Sequence, residues 1–207
     1  MSNVFDTVTL PSDIRTADAG DAELLGAITA DAFANDPVNQ WIFGNEAGMR
    51  ATFTMLARHV YGPRGYCNLA GEAAAAMWLP PGGNKDAGLW TMLGFAARVA
   101  LASGSGAVSR ALTVDKAMTA QKPEAPHVYL FTVGVRQDAQ GKGLGKRLLA
   151  PVLTACDAKG LPAYLENSNP DNHGFYRSQG FEMTGLISPG KGAPELQAMW
   201  RDPQMQG

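Results

Sequence analysis

Residues 127–155 constrain this chain more than any other stretch. The run from His127 to Val135 is rich in β-branched and aromatic residues, as a buried strand requires. After it, Leu144, Leu148, Leu149, Val152, Leu153 and Cys156 recur at helical spacing. Between them stands Gln140-Gly141-Lys142-Gly143-Leu144-Gly145-Lys146-Arg147, so the order is strand, glycine-rich turn, helix. Glycines let successive backbone N–H groups converge without side-chain obstruction, and the partial positive charge of a helix N-terminus favours an anion there. The natural guest is a phosphate or pyrophosphate. A Walker loop is excluded, because Gln140 stands where its first glycine belongs and Arg147 where its Ser or Thr belongs. A dinucleotide fingerprint is excluded too, because Leu148 or Lys146 takes the place of its third glycine.

The hexapeptide Gln140 to Gly145 fits the pattern Q/R-x-x-G-x-G/A and resembles the pyrophosphate-binding signature of the GNAT superfamily of N-acetyltransferases. Some thirty residues on, the stretch from Asn172 through Phe175, Tyr176, Gly180 and Phe181 resembles the second motif of that superfamily, N-x-x-F/L-Y-x-x-x-G-F. The resemblance is strong over residues 127–187. The amino-terminal portion more weakly resembles the branch containing puromycin N-acetyltransferase. The resemblance implies an α/β fold with a central, mixed but mostly antiparallel, seven-stranded sheet splayed around acetyl-CoA and flanked by helices. It also implies acetyl-CoA as donor, no metal, and a homodimer as one assembly to consider.

Composition sets the outer bounds. The 207 residues suit a single domain over 1–207 with a helical insertion at about 84–126. With 17 basic and 19 acidic residues the net charge is −2, which gives no electrostatic footprint for nucleic acid. Cys67 and Cys156 lie far apart and form no metal or redox spacing, so buried free thiols and a reducing, cytoplasmic setting are expected. The amino terminus has no basic segment followed by an apolar one. The apolar stretch from Leu93 to Ala102 is short and contains Arg98, so neither a signal peptide nor a membrane span is expected.

In chain order, Val8 to Ile14 reads as a first edge strand, limited by Pro11. Asp18 or Asp21 caps a helix with Leu24, Leu25, Ile28 and Phe33 as its stripe, ended by Asn35-Asp36-Pro37. A second helix runs from about Glu46 to Tyr61 and breaks at Gly62-Pro63-Arg64-Gly65. Tyr66–Leu69 and Ala73–Leu79 form a hairpin. Two helices fill the insertion, either as a structural pair covering the sheet or as a lid over the acyl acceptor. Pro151 sits inside the long helix, where it costs about 3 kcal/mol unless packing compensates. Strands at Pro162–Asn167, Phe181–Ile187 and Leu196–Trp200, with a short helix at Asp171–Ser178, complete the chain.

Acetyl transfer to an amine needs a held thioester, a polarised carbonyl, a neutral nucleophile and a proton for the departing thiolate. The amides of Gln140, Gly141, Lys142, Gly143, Leu144, Gly145 and Lys146 would hold the pyrophosphate, with Lys142, Lys146 or Arg147 adding charge or else remaining solvated. The resemblance places the pantetheine arm along the strand ending at Val135. There the main-chain groups of Val133 and Val135 serve it, and Gly134 permits a close approach or a bulge. Tyr176 falls at the position of the superfamily's general acid, with a packing role as the alternative, and Asn172 at a pantetheine contact, with a helix cap as the alternative. Glu166 is the candidate general base, directly or through a water, and could instead anchor an acceptor ammonium or serve structure. His59, His127 and His173 are weaker candidates. Asp36 and Trp41 could receive the amine, one by charge and one by its π face. The acceptor expected is a primary amine of a small molecule, attacked directly in a ternary complex; a non-catalytic acyl-CoA-binding module is the other reading.

Overall fold

The computed structural model describes residues 3–85 and 87–204. Seven strands form one sheet in the order β1-β2-β3-β4-β5-β7-β6. They are β1 (Arg15–Thr16), β2 (Tyr66–Ala70), β3 (Ala74–Leu79), β4 (Val128–Val135), β5 (Ala163–Asn167), β6 (Glu182–Ile187) and β7 (Leu196–Arg201). Every pairing is antiparallel except β4 with β5.

The parallel pair makes the site possible. β4 and β5 are in register only at Val128–Ala163 and Tyr129–Tyr164, so beyond Tyr129 the two strands part. A bulge helps to part them. On β3, Met77 pairs with Thr132 but its neighbour Trp78 pairs with Leu130, which leaves Phe131 as the extra residue of β4. The bulge is therefore at Phe131 and not at Gly134. Gly134 instead admits a helix: a Cβ there would lie 2.9 Å from the Cβ of Ala32 on α1 (Ala22–Ala32).

The helices follow most of the sequence pattern, with instructive departures. No strand forms over Val8–Ile14. Pro11 has no N–H for a ladder, its carbonyl closes a turn to the amide of Ile14, and the edge strand is only the two residues of β1. Upstream, Val4 and Phe5 are buried, and Phe5 stacks on Tyr66 at 5.0 Å. A further helix, α2 (Pro37–Phe43), occupies what reads as a turn. Asp36 caps it and Pro37 opens it, so the Asp-Pro pair that ends one helix in the sequence pattern also starts the next. The next helix, α3 (Glu46–Leu56), widens into π geometry over Ala57–Tyr61. It then runs on through the single turn α4 (Gly62–Arg64), so Pro63 does not break it and the chain turns only at Gly65. A Cβ at Gly65 would meet the carbonyl oxygen of Trp78 at 2.0 Å, which explains the glycine.

The segment 84–126 holds a helical pair, α5 (Leu89–Ser103) and α6 (Ser105–Gln121), separated at Gly104. α5 packs on α3 and α6, and α6 reaches α2 and β6. Leu89, Trp90, Leu93 and Leu101 of α5 remain exposed. No described helix is long and apolar enough to cross a membrane. The remaining helices are α7 (Leu144–Ala158) and α8 (His173–Ser178).

Two cores result, one on each face of the sheet. Leu25, Ile28, Met49, Phe53, Val60, Met77 and Tyr129 form one with α1 and α3, and Trp78, Leu130, Leu148, Leu149, Val152 and Phe181 form the other with α7. α7 stays continuous across Pro151. In the turn that Pro151 crowds, the carbonyl of Leu148 accepts a hydrogen bond of 2.9 Å from Nδ2 of Asn68, a fully buried side chain on β2. Pro151 itself deprives the carbonyl of Arg147, four residues back, of its helical donor. Cys67 and Cys156 are buried free thiols, and burial pushes both up to about 12.

Candidate active site

A cleft of about 520 Å³ opens where β4 and β5 part. Its walls come from four places: the end of α1 and the following turn (Phe33, Asp36), the end of β4 (Val133, Val135), the loop 140–146, and α8 with its approach (Asn172, Phe175, Tyr176). Long-range folding thus brings most of the expected site residues together. Val133, Val135, Gln140, Gly141, Gly143, Leu144, Gly145, Lys146, Asn172 and Tyr176 all line the cleft. Gly134, Lys142 and Glu166 do not.

The three loop glycines have different physical reasons. Gly141 and Gly143 have φ of +76° and +75°, with open space where a Cβ would go, so backbone conformation alone requires glycine. Gly145 is needed for space, because its Cβ would stand 3.2 Å from Cζ of Phe175. No side chain caps α7, which leaves the first amides of that helix unpaired at the cleft. Lys146 lies at the cleft, Lys142 donates to the carbonyl of Asp138 at 3.3 Å, and Arg147 pairs with Asp13 at 2.5 Å. Of the three cations, only Lys146 lines the cleft.

Along β4 the amides alternate in direction. The N–H of Arg136 bonds to the carbonyl of Ala73 beside β3, so those of Val133 and Val135 turn the other way, toward the opening. The carbonyl of Val135 likewise points away from β3 and accepts from Nε2 of Gln140 at 3.1 Å. Gln140 thereby ties the loop to the strand end.

Tyr176 is almost fully buried between Phe175 and Phe181, in edge-to-face contacts of 5.1 and 6.2 Å. Burial, and then the negative charge of Asp36, raise its pKa above the ordinary phenol value. Asp36 is committed elsewhere. Its Oδ1 accepts from the amide and Nδ2 of Asn39, and its Oδ2 from the hydroxyl of Ser168 at 2.5 Å. It caps α2 and braces the cleft rather than waiting for an amine. Trp41 does not reach the cleft: Arg110 of α6 lies 5.8 Å from its ring and holds the carbonyl of Ile42. Asn172 makes no cap bond, whereas Asn169 caps the turn before it.

Glu166 lies on the α1 and α3 face of β5, beside the opening but in a cluster of its own. The hydroxyl of Tyr129 donates to its Oε2 at 2.7 Å. Burial raises the carboxyl above the ordinary range, opposed by the charge of Lys85 and by the Tyr129 hydroxyl. His127 and His173 are structural. His127 bonds the carbonyl of Ala125 at 2.7 Å and meets Tyr164 and Trp200 edge-on, and His173 bonds Oε1 of Gln197 at 3.0 Å.

A seven-stranded mixed sheet, parted at its parallel pair beside a glycine loop that opens a helix, is the GNAT fold, and N-acetyltransferases are the proteins to which this chain is similar. Residues 102–181 match the Acetyltransferase (GNAT) family. Among its relatives is an uncharacterized N-acetyltransferase of Schizosaccharomyces pombe, 28% identical over 93% of this chain and 84% of its own. A 5-NmdU N-acetyltransferase of Pseudomonas phage PaMx11 is 32% identical over 35% of this chain and 51% of its own. A crystal structure titled histone acetyltransferase HPA2 and related acetyltransferase, from Corynebacterium glutamicum, is 26% identical. It superposes with a TM-score of 0.68 over 93% of this chain and 97% of that one.

Proposed function

We propose that this protein moves an acetyl group from acetyl-CoA to a primary amine of a small molecule, by direct attack within a ternary complex. The observation that carries the reading is the convergence of the 140–146 loop, the outward amides of Val133 and Val135, and Tyr176 on one cleft. The residues present suit the donor. Unpaired amides at the start of α7 and the Lys146 ammonium match a pyrophosphate, and the parted strands offer main-chain partners to an extended chain of amides. Acetyl-CoA supplies an activated acyl carbon on a sulfur leaving group.

The chain's own part is placement and proton transfer. The N–H groups of Val133 and Val135 hold and polarise, Glu166 takes the proton that the acceptor nitrogen loses, directly or through a water, and Tyr176 donates to the departing sulfur. An ordinary phenol titrates near 10 and an ordinary thiol near 8.5. Complete transfer from Tyr176 is therefore uphill by about 2 kcal/mol or more, and the hydroxyl works chiefly as a hydrogen-bond donor to the developing thiolate. The amino-terminal likeness to the puromycin N-acetyltransferase branch favours a small amine over a protein terminus.

The test is thiol release from acetyl-CoA across a panel of small alkylamines, aminonucleosides, polyamines and peptide amino termini. Turnover with a small-amine class supports the proposal. Tight acetyl-CoA binding by calorimetry with no turnover across the panel would favour a non-catalytic acyl-CoA-binding module.

A further inference from the structure

On the face of the sheet turned away from α7, Glu166 sits among the aromatic side chains of Tyr129, Phe131, Tyr164 and Tyr61. Tyr61 and Phe131 stack at 4.2 Å with their planes 5° apart. Tyr129 and Tyr164 stack at 6.2 Å. Into this group the segment between β3 and α5 inserts Lys85. Its ammonium lies 4.3 Å from the centroid of the Tyr129 ring and donates to the Tyr129 hydroxyl at 3.3 Å. The link to Glu166 runs through that hydroxyl, which accepts from Lys85 and donates to the carboxylate at 2.7 Å. A primary ammonium on a four-carbon stem is thus held over an aromatic face with a carboxylate behind it, the arrangement that recognises alkylammonium ions.

Tyr164 belongs to the same cluster. Its buried hydroxyl faces Glu166, and burial, the Glu166 charge and the hydrogen bond to Glu166 all raise its pKa, so it stays a neutral donor beside the carboxylate.

We propose that this cluster is the acceptor-ammonium subsite, that the side chain of Lys85 fills it in the free protein, and that the acceptor is an unbranched aliphatic amine that displaces Lys85. The proposal rests on the reading of Glu166 as facing the acceptor. Lys85 is a tethered competitor: it shows the chemistry of the ligand, a linear alkyl stem ending in a cation, and it keeps the carboxylate partnered while the subsite has no amine. Lys85 precedes α5 and lies outside every described helix and strand, so no backbone ladder fixes its side chain in place. The incoming amine takes over the Tyr129 face and the charge of Glu166 from Lys85.

Calorimetric titration without acetyl-CoA tests this independently of turnover, which separates its failure from that of the acetyl-transfer reading. The probes are n-butylamine, cationic at neutral pH, and n-butanol as its uncharged counterpart. The proteins are wild type, Lys85→Ala, Lys85→Gln, and Lys85→Ala combined with Glu166→Gln. The expected result is n-butylammonium binding at least about tenfold tighter to both single variants than to wild type, no such gain for n-butanol, and loss of the gain in the double variant. Equal gains for both probes would show a mere void, and no gain in folded single variants would show no competition. Loss of folding in both single variants would make Lys85 a structural strut. Each of these three outcomes overturns the proposal.

Discussion

Replacing Tyr176 by phenylalanine removes one hydroxyl and almost nothing else. The ring keeps its edge-to-face contacts with Phe175 and Phe181, so the fold should change in stability by no more than about 1 kcal/mol. The chemistry should change far more. Donation by a positioned acid is worth about 10²–10⁴ in rate, which corresponds to about 3–5.5 kcal/mol of transition-state stabilisation. The sulfur carries that charge only as the bond breaks, so the loss falls on kcat and not on binding of the donor. Steady-state thiol release should therefore show kcat down by about a hundredfold or more. KM for acetyl-CoA and its calorimetric Kd should stay within about threefold of wild type. The pH profile adds a second check. Burial and Asp36 place the folded pKa of Tyr176 above the ordinary phenol value, so the acid stays protonated as pH rises. The wild-type rate should accordingly show no alkaline decline from this group below about pH 10. A kcat within a few-fold of wild type, or a Kd for acetyl-CoA that worsens as much as kcat, would refute the assignment and leave Tyr176 a packing residue.

Other expectations follow from the same geometry. Gly143→Ala forces a side chain into φ +75° at a cost of about 1–2 kcal/mol, so calorimetry should show acetyl-CoA bound about 5–30-fold more weakly; unchanged affinity would mean that the loop does not hold the pyrophosphate. Glu166 has a folded pKa raised above its unfolded value near 4.3, so its contribution to stability is fully present below that value and is lost as pH rises through the folded pKa. Glu166→Gln, which cannot ionise, should gain on wild type in urea midpoint between pH 4 and pH 8, and a constant difference would contradict the raised pKa. Asn68→Ala removes the bond that ties β2 to the Leu148 carbonyl of α7 and should cost about 1–3 kcal/mol in urea unfolding; an unchanged urea midpoint would show that this bond adds nothing to the packing of α7 on the sheet.

Whatever depends on near neighbours is legible in the chain itself. Gly141, Gly143 and Gly145 announced a turn whose amides converge, residues 144–156 announced an amphipathic helix, and the Ala70-Gly71-Glu72 turn between two apolar runs announced a hairpin, because conformational preference and periodicity are local properties of the chain. The motif residues of the cleft were legible for the same reason, each motif being contiguous. Asp36-Pro37 is equally local, ending one helix in the sequence pattern and starting α2. The rest lies in contacts between distant residues. The bulge at Phe131 depends on register against β3, the tie from α7 to the sheet depends on Asn68 from β2, and the commitment of Asp36 depends on Ser168 across the cleft. Glu166 read from sequence is a carboxylate on a strand near the cofactor. Only the packing of Lys85, Tyr129 and Tyr164 around it, set by how the 84–126 segment folds back on the sheet, makes it a buried and partnered charge. Burial and charge proximity are properties of the assembled fold, and no window of sequence contains them.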